Sequence, residues 1–493
     1  MPLPFLYILS VIIMSVFSVS QWWKLPISTP IASWVCGAYI IFFNFRLLRK
    51  ELVKHNVCGT DLWLSYAYFL WLAINTIRGA VYYTEDNYWI WKNLVNSVFC
   101  LSLPCWIYIL TDIVLSHRIL RSWMRYGMLL FIPLMMLISR DAWHFYLSPL
   151  FFLGCFLFNL PKKWTLIIGV LLAAMCVINL GARSQVIISA LTLVGGLVYK
   201  MRRIVPVFLL KIGHIACYVV AITLLYLGIS GEFNVFEMAS EDNQGKYQSM
   251  EVDEEGELKE EDLSDDTRTF IYMEVISSAI NHDYLWQGRT PARGNDSAAF
   301  GKEFAIEQKT GLWERHSNEL LHLNVFTWLG LIGVLLYSFF YIRASFLALY
   351  RSRSFALKLL GCMVAFHWLY GWVEDINRFD INNFTIWLFI SVCLSKQFRR
   401  MDDKDFLIWI RSIVRNNNLT EIEGRRRTHK SNKYYIQIDE DDSQYDFIKK
   451  VLNNKNKKTY TKISCVAQVQ PTNPAEEGDR KNPQTVQKDK SDE

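Results

Sequence analysis

The chain has 493 residues, of which 52% are hydrophobic and 15% aromatic, and its formal net charge is +6. The charge is an average over segments of opposite sign, so it does not indicate nucleic-acid binding. The ten cysteines lie mostly inside apolar runs without paired metal-ligand spacing, which argues against a disulfide framework or a zinc site.

Apolar runs as long as a bilayer is thick recur along the chain, given about 20 helical residues per crossing. Soluble cores do not need such runs, so the pattern predicts an all-α polytopic membrane protein with about twelve transmembrane helices. Met1 to Ser20 lacks a basic start and a small-residue cleavage site, which predicts a retained first helix. The predicted helices cover residues 3–20, 28–48, 61–83, 89–115, 123–139, 142–160, 164–180, 184–200, 206–229, 320–349, 356–373 and 381–397.

Basic residues in the short connections predict the orientation, because Lys and Arg are retained on the cytoplasmic side during insertion. Connections after the even-numbered predicted helices are basic, whereas those after the odd-numbered helices carry few basic residues, balanced by acidic ones. Both termini are therefore predicted to be cytoplasmic. The basic connections contain Arg49, Lys50, Lys54, Arg118, Arg121, Lys162, Lys163, Lys200, Arg202, Arg203, Arg351, Arg353, Arg399 and Arg400.

Composition divides the chain into three regions. Residues 1–400 form the predicted transmembrane domain, and within it residues 231–317 form a long extracytoplasmic loop with 20 acidic and 8 basic residues, a length typical of function or disorder. Residues 401–469 form a predicted cytoplasmic tail, which begins with a membrane-surface helix at 401–415 and continues with the pattern of a small folded strand, helix and strand. Residues 470–493 have the composition of disorder.

Two arginines on the predicted outer face are candidates for binding a phosphate. Arg183 stands in a short turn between two predicted helices, where a guanidinium can fork onto a phosphate or pyrophosphate group or act only as an interfacial residue that snorkels to water. Arg268 follows an acidic run and opens an apolar helical stretch. Its alternative role is a loop salt bridge to Asp265 or Asp266.

A polar cluster, Arg315 to Glu319, precedes the tenth predicted helix. His316 and Glu319 are one helical turn apart, and a His or a carboxylate at this depth can take the proton from an attacking hydroxyl. The alternative is a structural role, in which Ser317 or Asn318 caps the helix.

The order and spacing of these motifs resemble those of the O-antigen ligase and O-antigen polymerase superfamily. The resemblance covers roughly residues 165–345, and the layout of about twelve helices with one large outer loop is similar as well. It rests on Gly181-Ala182-Arg183-Ser184 at a helix start, on Arg268 before an apolar stretch that ends in Gly288, and on a His- and Asn-containing helix end that runs into Gly330-Leu331-Ile332-Gly333.

Members of that family move a glycan from undecaprenyl diphosphate to an acceptor hydroxyl on the periplasmic face, without a metal, a cofactor or a nucleotide sugar. The resemblance therefore implies a polymerase or ligase of lipopolysaccharide O-antigen or another surface polysaccharide, in the bacterial inner (cytoplasmic) membrane. The implied partners are membrane lipids, the polyprenyl-diphosphate-linked glycan donor, a glycan or lipid A-core-like acceptor and other proteins of a polysaccharide assembly system, and not nucleic acid.

The resemblance also implies roles for individual residues. Arg183 and Arg268 would hold the diphosphate leaving group. In the family the catalytic His directly precedes an Asn, about eleven residues before the first Gly of the Gly-x-x-Gly pair, whereas His316 lies 14 residues before Gly330 and Glu319 lies 11 before it. The base is therefore either His316 or Glu319. Arg289 and Arg293 are extra cations that would bind phosphate or an acidic sugar, or pair with the acidic loop.

Two other functions remain open from the sequence. A transporter or flippase for polysaccharide intermediates commonly has paired repeats and ionisable residues at mid-membrane depth, but no internal repeat is evident here and the candidates are limited to Lys211, His214 and His367. A non-catalytic membrane scaffold would act through the cytoplasmic tail and would fail when residues 401–493 are removed.

Overall fold

The computed structural model separates the chain into two compact units, residues 1–428 and 429–493. The first unit is built almost entirely of α-helices, which confirms the predicted all-α class. The structure describes residues 3–18, 30–48, 56–82, 87–178, 183–230, 248–252, 258–262, 268–298, 300–307, 310–415, 436–437 and 464–465.

All twelve predicted runs are helical over much of their length. In chain order the helices are α1 Leu3–Ser18, α2 Pro30–Leu48, α3 Gly59–Tyr82, α4 Tyr88–Leu101, α5 Ile107–Leu110, α6 Ile113–Ser122, α7 Met128–Leu137, α8 Arg140–Tyr146, α9 Pro149–Gly154, α10 Lys162–Ile178, α11 Arg183–Lys200, α12 Val207–Ser230, α13 Arg268–Asn281, α14 Gly301–Glu307, α15 Leu321–Arg351, α16 Phe355–Tyr370, α17 Ile381–Leu394, α18 Lys396–Arg400 and α19 Asp403–Val414.

Short strand pairs complete the two units. In the predicted outer loop, β1 (Gln248–Val252) pairs antiparallel with β2 (Leu258–Asp262), and β3 (Asn295–Asp296) pairs with β4 (Glu314–Arg315). In the second unit, β5 (Ile436–Gln437) pairs with β6 (Ser464–Cys465). The helix predicted between those last two strands lies outside the described residues, as does the predicted disordered end at 470–493.

One predicted connection is helical instead. Residues 116–122 were expected to form a polar loop, but they belong to α6, which continues through a π-helical turn at Trp123–Gly127 into α7. The Asp112 carboxylate accepts the amide hydrogens of Val114 and Leu115, at 2.9 and 2.8 Å, and so caps this helix. Hydropathy alone reads the polar face of such an amphipathic helix as a loop.

The end of the first unit that carries the basic connections is held together by side-chain hydrogen bonds. The Asp403 carboxylate accepts the amide hydrogens of Phe355 and Ala356, at 3.1 and 3.0 Å, and the Tyr199 hydroxyl, at 3.2 Å. The Asn56 amide donates to Asp112 at 3.4 Å. Connections that are far apart in the sequence therefore meet at this end.

Helix α19 also packs at this end, where it was expected to lie on a membrane surface. Its apolar side chains Phe406, Trp409 and Ile413 are fully buried, and the Trp409 indole donates to the Ile113 carbonyl at 3.1 Å. The Arg411 guanidinium donates to the Asn159 carbonyl at 2.7 Å. The apolar face of α19 is thus covered by protein rather than by lipid.

The segment between α16 and α17 contacts other helix ends at the opposite end of this unit. The Leu321 amide donates to the Glu374 carbonyl at 3.2 Å, which joins the start of α15 to the segment between α16 and α17. The Ile381 amide donates to the Ser15 hydroxyl at 2.8 Å, near the end of α1. The predicted outer loop packs at this same end.

By length and composition, one helix in the described part of the chain, α15, is able to cross a bilayer alone. A second candidate is the pair Tyr88–Leu101 and Leu103–Leu110, which is bent by 41° where Pro104 interrupts the chain. Further apolar helices are shorter, among them α16 and α17.

Candidate functional site

Helix α15 is broken at Gly330, where φ is 68° and ψ is −171°. The peptide groups that the break removes from the helix find partners outside it. The Thr327 carbonyl accepts the Arg289 amide at 2.7 Å, the Leu331 amide donates to the Leu285 carbonyl at 2.9 Å, and the Leu329 carbonyl accepts the Trp71 indole at 2.9 Å. The first turns of α15 are therefore tied to the loop that follows α13.

His316 is fixed from three sides just before α15. Its Nε2 atom lies 2.7 Å from the Ser97 hydroxyl of α4, its ring lies 5.4 Å from that of Trp328, and its carbonyl accepts the Trp328 indole hydrogen at 3.1 Å. Burial lowers the pKa of His316 to about 4, against a smaller opposing effect of a hydrogen bond to the backbone of Asn93. The imidazole is therefore neutral at pH 7 and cannot serve as a cation.

Glu319 is the accessible member of the predicted pair. Its side chain is 55% exposed, and one oxygen accepts from Nη2 of Arg315 at 3.1 Å. The Arg315 side chain is nearly buried and lies over the Phe300 ring, 4.7 Å from its centre. Two further nitrogens of this guanidinium, Nε and Nη1, have no hydrogen-bond partner within the described residues.

A second charged group lies in the connection between α16 and α17. The Nε atom of Arg378 is 3.4 Å from the Asp375 carboxylate, and its side chain is 37% exposed. Burial alone would lower the pKa of Arg378. The carboxylates of Asp375 and Asp380 have the larger effect, so the pKa of Arg378 is raised. Burial raises the pKa of Asp375, and the charge of Glu319 adds to this effect.

The Leu321 amide donates to the Glu374 carbonyl at 3.2 Å, so the segment from Asp375 to Asp380 lies beside the segment that ends at Glu319. Ser97 of α4, the segment from Arg315 to Glu319, and the segment from Asp375 to Asp380 thus meet at the end opposite the basic connections. The cluster combines the neutral imidazole of His316, the carboxylates of Glu319, Asp375 and Asp380, and the guanidinium groups of Arg315 and Arg378. Its exposed carboxylate can accept a proton, and the partly exposed Arg378 offers N–H donors to an anion.

Arg289 and Arg293 are both engaged by acidic side chains of the outer loop. Arg289 donates to Asp296 and forms an ion pair with Glu314, each at 2.8 Å, and its side chain is only 9% exposed. Arg293 donates through Nε to the same Glu314 carboxylate, at 2.8 Å. The sequence left two roles open for Arg289 and Arg293, binding of a phosphate or acidic sugar and pairing with the acidic loop. In the structure both arginines pair with the acidic loop.

Arg183 is the first residue of α11 and Arg268 is the first residue of α13. Both helix starts agree with the sequence prediction to within a residue. The side chains of these two arginines lie outside the described part of the molecule, as do residues 179–182 of the motif before Arg183 and the carboxylates of Asp265 and Asp266. Their contacts remain predictions.

Sequence reasoning gave no functional role to Ser97 or Arg378, and it named Arg315 only as the first residue of the polar cluster. Arg378 was counted only as one basic residue balanced by acidic neighbours in a short connection. The available signal was the pattern Asp375-Ile376-Asn377-Arg378-Phe379-Asp380, three charged residues packed between two apolar runs. Charge concentrated in so short a connection indicates ion pairing or binding rather than simple solvation.

No protein-family model, curated protein or solved structure matches this chain. Within the described residues, no three side chains of His, Cys, Asp or Glu lie together as metal ligands would.

Proposed function

We propose that the chain is a polytopic membrane protein with about twelve transmembrane helices and that its outer-end cluster transfers a glycan from a polyprenyl-diphosphate carrier to a hydroxyl. Rows of exposed apolar side chains along whole helices support membrane embedding, because soluble surfaces rarely carry such continuous patches. The rows include Ile31, Val35 and Phe42 of α2, Trp63, Leu70, Ile77 and Val81 of α3, Leu166, Val170 and Val177 of α10, and Phe208, Ile215, Val219, Ile222 and Tyr226 of α12.

The alternation of basic and non-basic connections supports an orientation with both termini in the cytoplasm. Contacts between connections of the same kind agree with it. Asp403 bonds to the connection before α16 at the basic end, and the Ile381 amide bonds to Ser15 at the other. The proposed site then faces the periplasm, and the membrane is the bacterial inner membrane.

The observation that carries the proposed reaction is that the Arg315–Glu319 and Arg378–Asp375 ion pairs lie in neighbouring segments at this outer end. A departing lipid diphosphate is multiply charged and needs fixed cations near the membrane surface. Guanidinium groups meet this need because they do not titrate near neutral pH. In this proposal Arg378, which is partly exposed, is added to Arg183 and Arg268, the two residues to which the family resemblance assigns the diphosphate.

In the proposed reaction Glu319 is the base. It takes the proton from the acceptor hydroxyl, the hydroxyl oxygen forms a bond to the anomeric carbon of the donor glycan, and the bond from that carbon to the diphosphate breaks. The carrier leaves as the diphosphate anion. His316 holds the segment in place through Ser97 and Trp328, whereas Glu319 is the exposed member of the pair and can reach an acceptor hydroxyl.

The test uses purified full-length protein in nanodiscs with polyprenyl-diphosphate-linked repeat units, and follows product size by mass spectrometry. A polymerase lengthens the lipid-linked glycan, and a ligase moves it to an added lipid A-core acceptor. Arg183→Ala, Arg268→Ala and Arg378→Ala should each lower the rate at least a hundredfold. Arg140→Ala, which removes an exposed arginine from another predicted outer connection, should leave the rate unchanged.

Full activity in the Arg183 and Arg268 variants would contradict the proposed mechanism. Movement of the glycolipid across the bilayer with no change in its linkages would instead identify a transporter. Loss of biological function on removal of residues 429–493, with transfer in nanodiscs intact, would assign a separate scaffold role to the tail.

A further inference from the structure

An open groove of about 530 Å³ lies in the outer loop, beside the loop's ion pairs. One wall is a face of α13 that presents Glu274, Ser277 and Asn281, which are three or four residues apart and so lie on the same side of the helix. The facing wall is the chain from Gly311 to Glu314. This groove is built from residues other than those of the proposed transfer site.

Trp313 is the exposed aromatic side chain of this groove. Its side chain is 60% exposed, although its backbone is fixed. The Trp313 carbonyl accepts the Ser297 amide at 3.2 Å, and a Cβ atom added to Gly301 would lie only 2.6 Å from that carbonyl. An indole on a rigid backbone is a flat apolar surface that loses little conformational entropy when a ligand covers it.

The charges that line the groove are balanced within it. Arg289 pairs with Asp296 and Glu314, and Arg293 pairs with Glu314. Together with Glu274, three carboxylates stand against two guanidinium groups. An anionic ligand would gain nothing here, whereas neutral hydroxyl groups would find both donors and acceptors.

We infer that this groove binds an uncharged stretch of saccharide chain. A pyranose ring has apolar C–H faces that fit an indole, and hydroxyl groups around its edge that fit Ser277, Asn281 and the carboxylates. The volume is in the range of small-molecule sites, and most of the side chains that line the groove beside the exposed indole are polar or charged. The inference deepens the proposed function, because the bound saccharide is then the acceptor or the growing product, but binding itself requires no transfer.

The experiment measures saturation-transfer NMR between the full chain in nanodiscs and oligosaccharides of about four to six sugars, released by partial hydrolysis from the surface polysaccharide of a strain that carries the protein. Neutral and acidic fragments of the same digest are compared. Neutral fragments should bind the wild type, and Trp313→Ala should weaken them about tenfold or more. Trp286→Ala is the matched control, since Trp286 is similarly exposed, at 63%, but does not line the groove.

Absence of binding by the wild type, equal loss in both tryptophan variants, or preference for acidic fragments would overturn the inference. If Trp313 instead anchors the loop in lipid headgroups, saccharide binding will not depend on it. Transfer activity is measured separately in the same nanodiscs. Intact transfer without saccharide binding would reject only the proposal that the groove binds saccharide. Saccharide binding without any transfer would reject only the proposed reaction.

Discussion

A Cβ atom added to Gly288 would lie 2.5 Å from the backbone nitrogen of Gly330, and one added to Gly330 would lie 2.4 Å from the backbone nitrogen of Gly288. Both residues also have positive φ, at 76° and 68°. The close approach of the two backbones explains why both positions hold glycine. It also brings together two glycines, 42 residues apart in the sequence, that the family resemblance had selected.

The first prediction concerns this contact. Gly330→Ala should lower the free energy of unfolding by at least about 2 kcal/mol, because it combines a strained φ with backbone overlap. Gly213→Ala is the control, since a Cβ atom there meets nothing within 4 Å and alanine favours a helix. Thermal unfolding in detergent measures both, and equal melting temperatures for the two variants would contradict the prediction.

The second prediction concerns the base. Glu319→Gln should lower kcat by roughly a hundredfold to ten-thousandfold, the usual contribution of a general base, with little change in KM because the amide keeps the shape of the side chain. Single-turnover rates with the lipid-linked donor measure the chemical step. Asp283→Asn, at an exposed acidic residue of the same outer loop, should retain full kcat. Wild-type kcat in the Glu319 variant would assign the base elsewhere.

The third prediction is a pH dependence of stability from His316. In the unfolded chain the imidazole binds a proton below its ordinary pKa of 6.5, whereas burial holds the folded pKa at about 4. As the pH is lowered, the unfolded state therefore binds a proton before the folded state does. The contribution of the buried, neutral His316 to stability is complete above pH 6.5 and declines as the pH falls from 6.5 to 4. Its full size is on the order of 3 kcal/mol.

Melting temperatures between pH 4 and pH 7.5 test this sign. His316→Asn should show a smaller fall in melting temperature towards acid than the wild type. A slope in the His316 variant as steep as in the wild type would show that another group titrates.

The fourth prediction separates α19 from the tail that follows it. Removal of residues 401–493 should destabilise the helical unit, because it uncovers the surface on which Phe406, Trp409 and Ile413 pack and removes the Asp403 cap of α16. Removal of residues 429–493 should leave the melting temperature and transfer activity unchanged. Size-exclusion profiles and melting curves of the two truncated proteins measure this difference in stability. Equal melting temperatures for the two truncated proteins would contradict the prediction.

Hydropathy was enough to predict the helices that consist of one long apolar run. The predicted run at 28–48 corresponds to Pro30–Leu48, and the run at 206–229 to Val207–Ser230. It failed where one helix face is polar, as at 116–122, and where protein rather than lipid covers an apolar face, as in α19. Both errors have the same cause, since a one-dimensional average does not say what lies opposite each face.

The candidate site was predictable only in part. His316 and Glu319 were found from their spacing to Gly330 and by family resemblance, and they lie in one segment. The ion pair of Glu319 with Arg315 is local, four residues apart, but the approach of Asp375 and Arg378 depends on where the connection between α16 and α17 returns to the start of α15. Contacts between segments more than 50 residues apart leave no local pattern in a single sequence.

The exchange of main-chain hydrogen bonds at the break in α15 has a mechanical consequence. Separating Thr327 from Arg289, or Leu331 from Leu285, would leave peptide groups without hydrogen-bond partners, which costs about 1–3 kcal/mol for each group that stays buried. The loop after α13 and the outer turns of α15 must therefore shift as one lever. A displacement of the loop at Arg289 would then be transmitted to the start of α15, directly after the segment that carries Glu319.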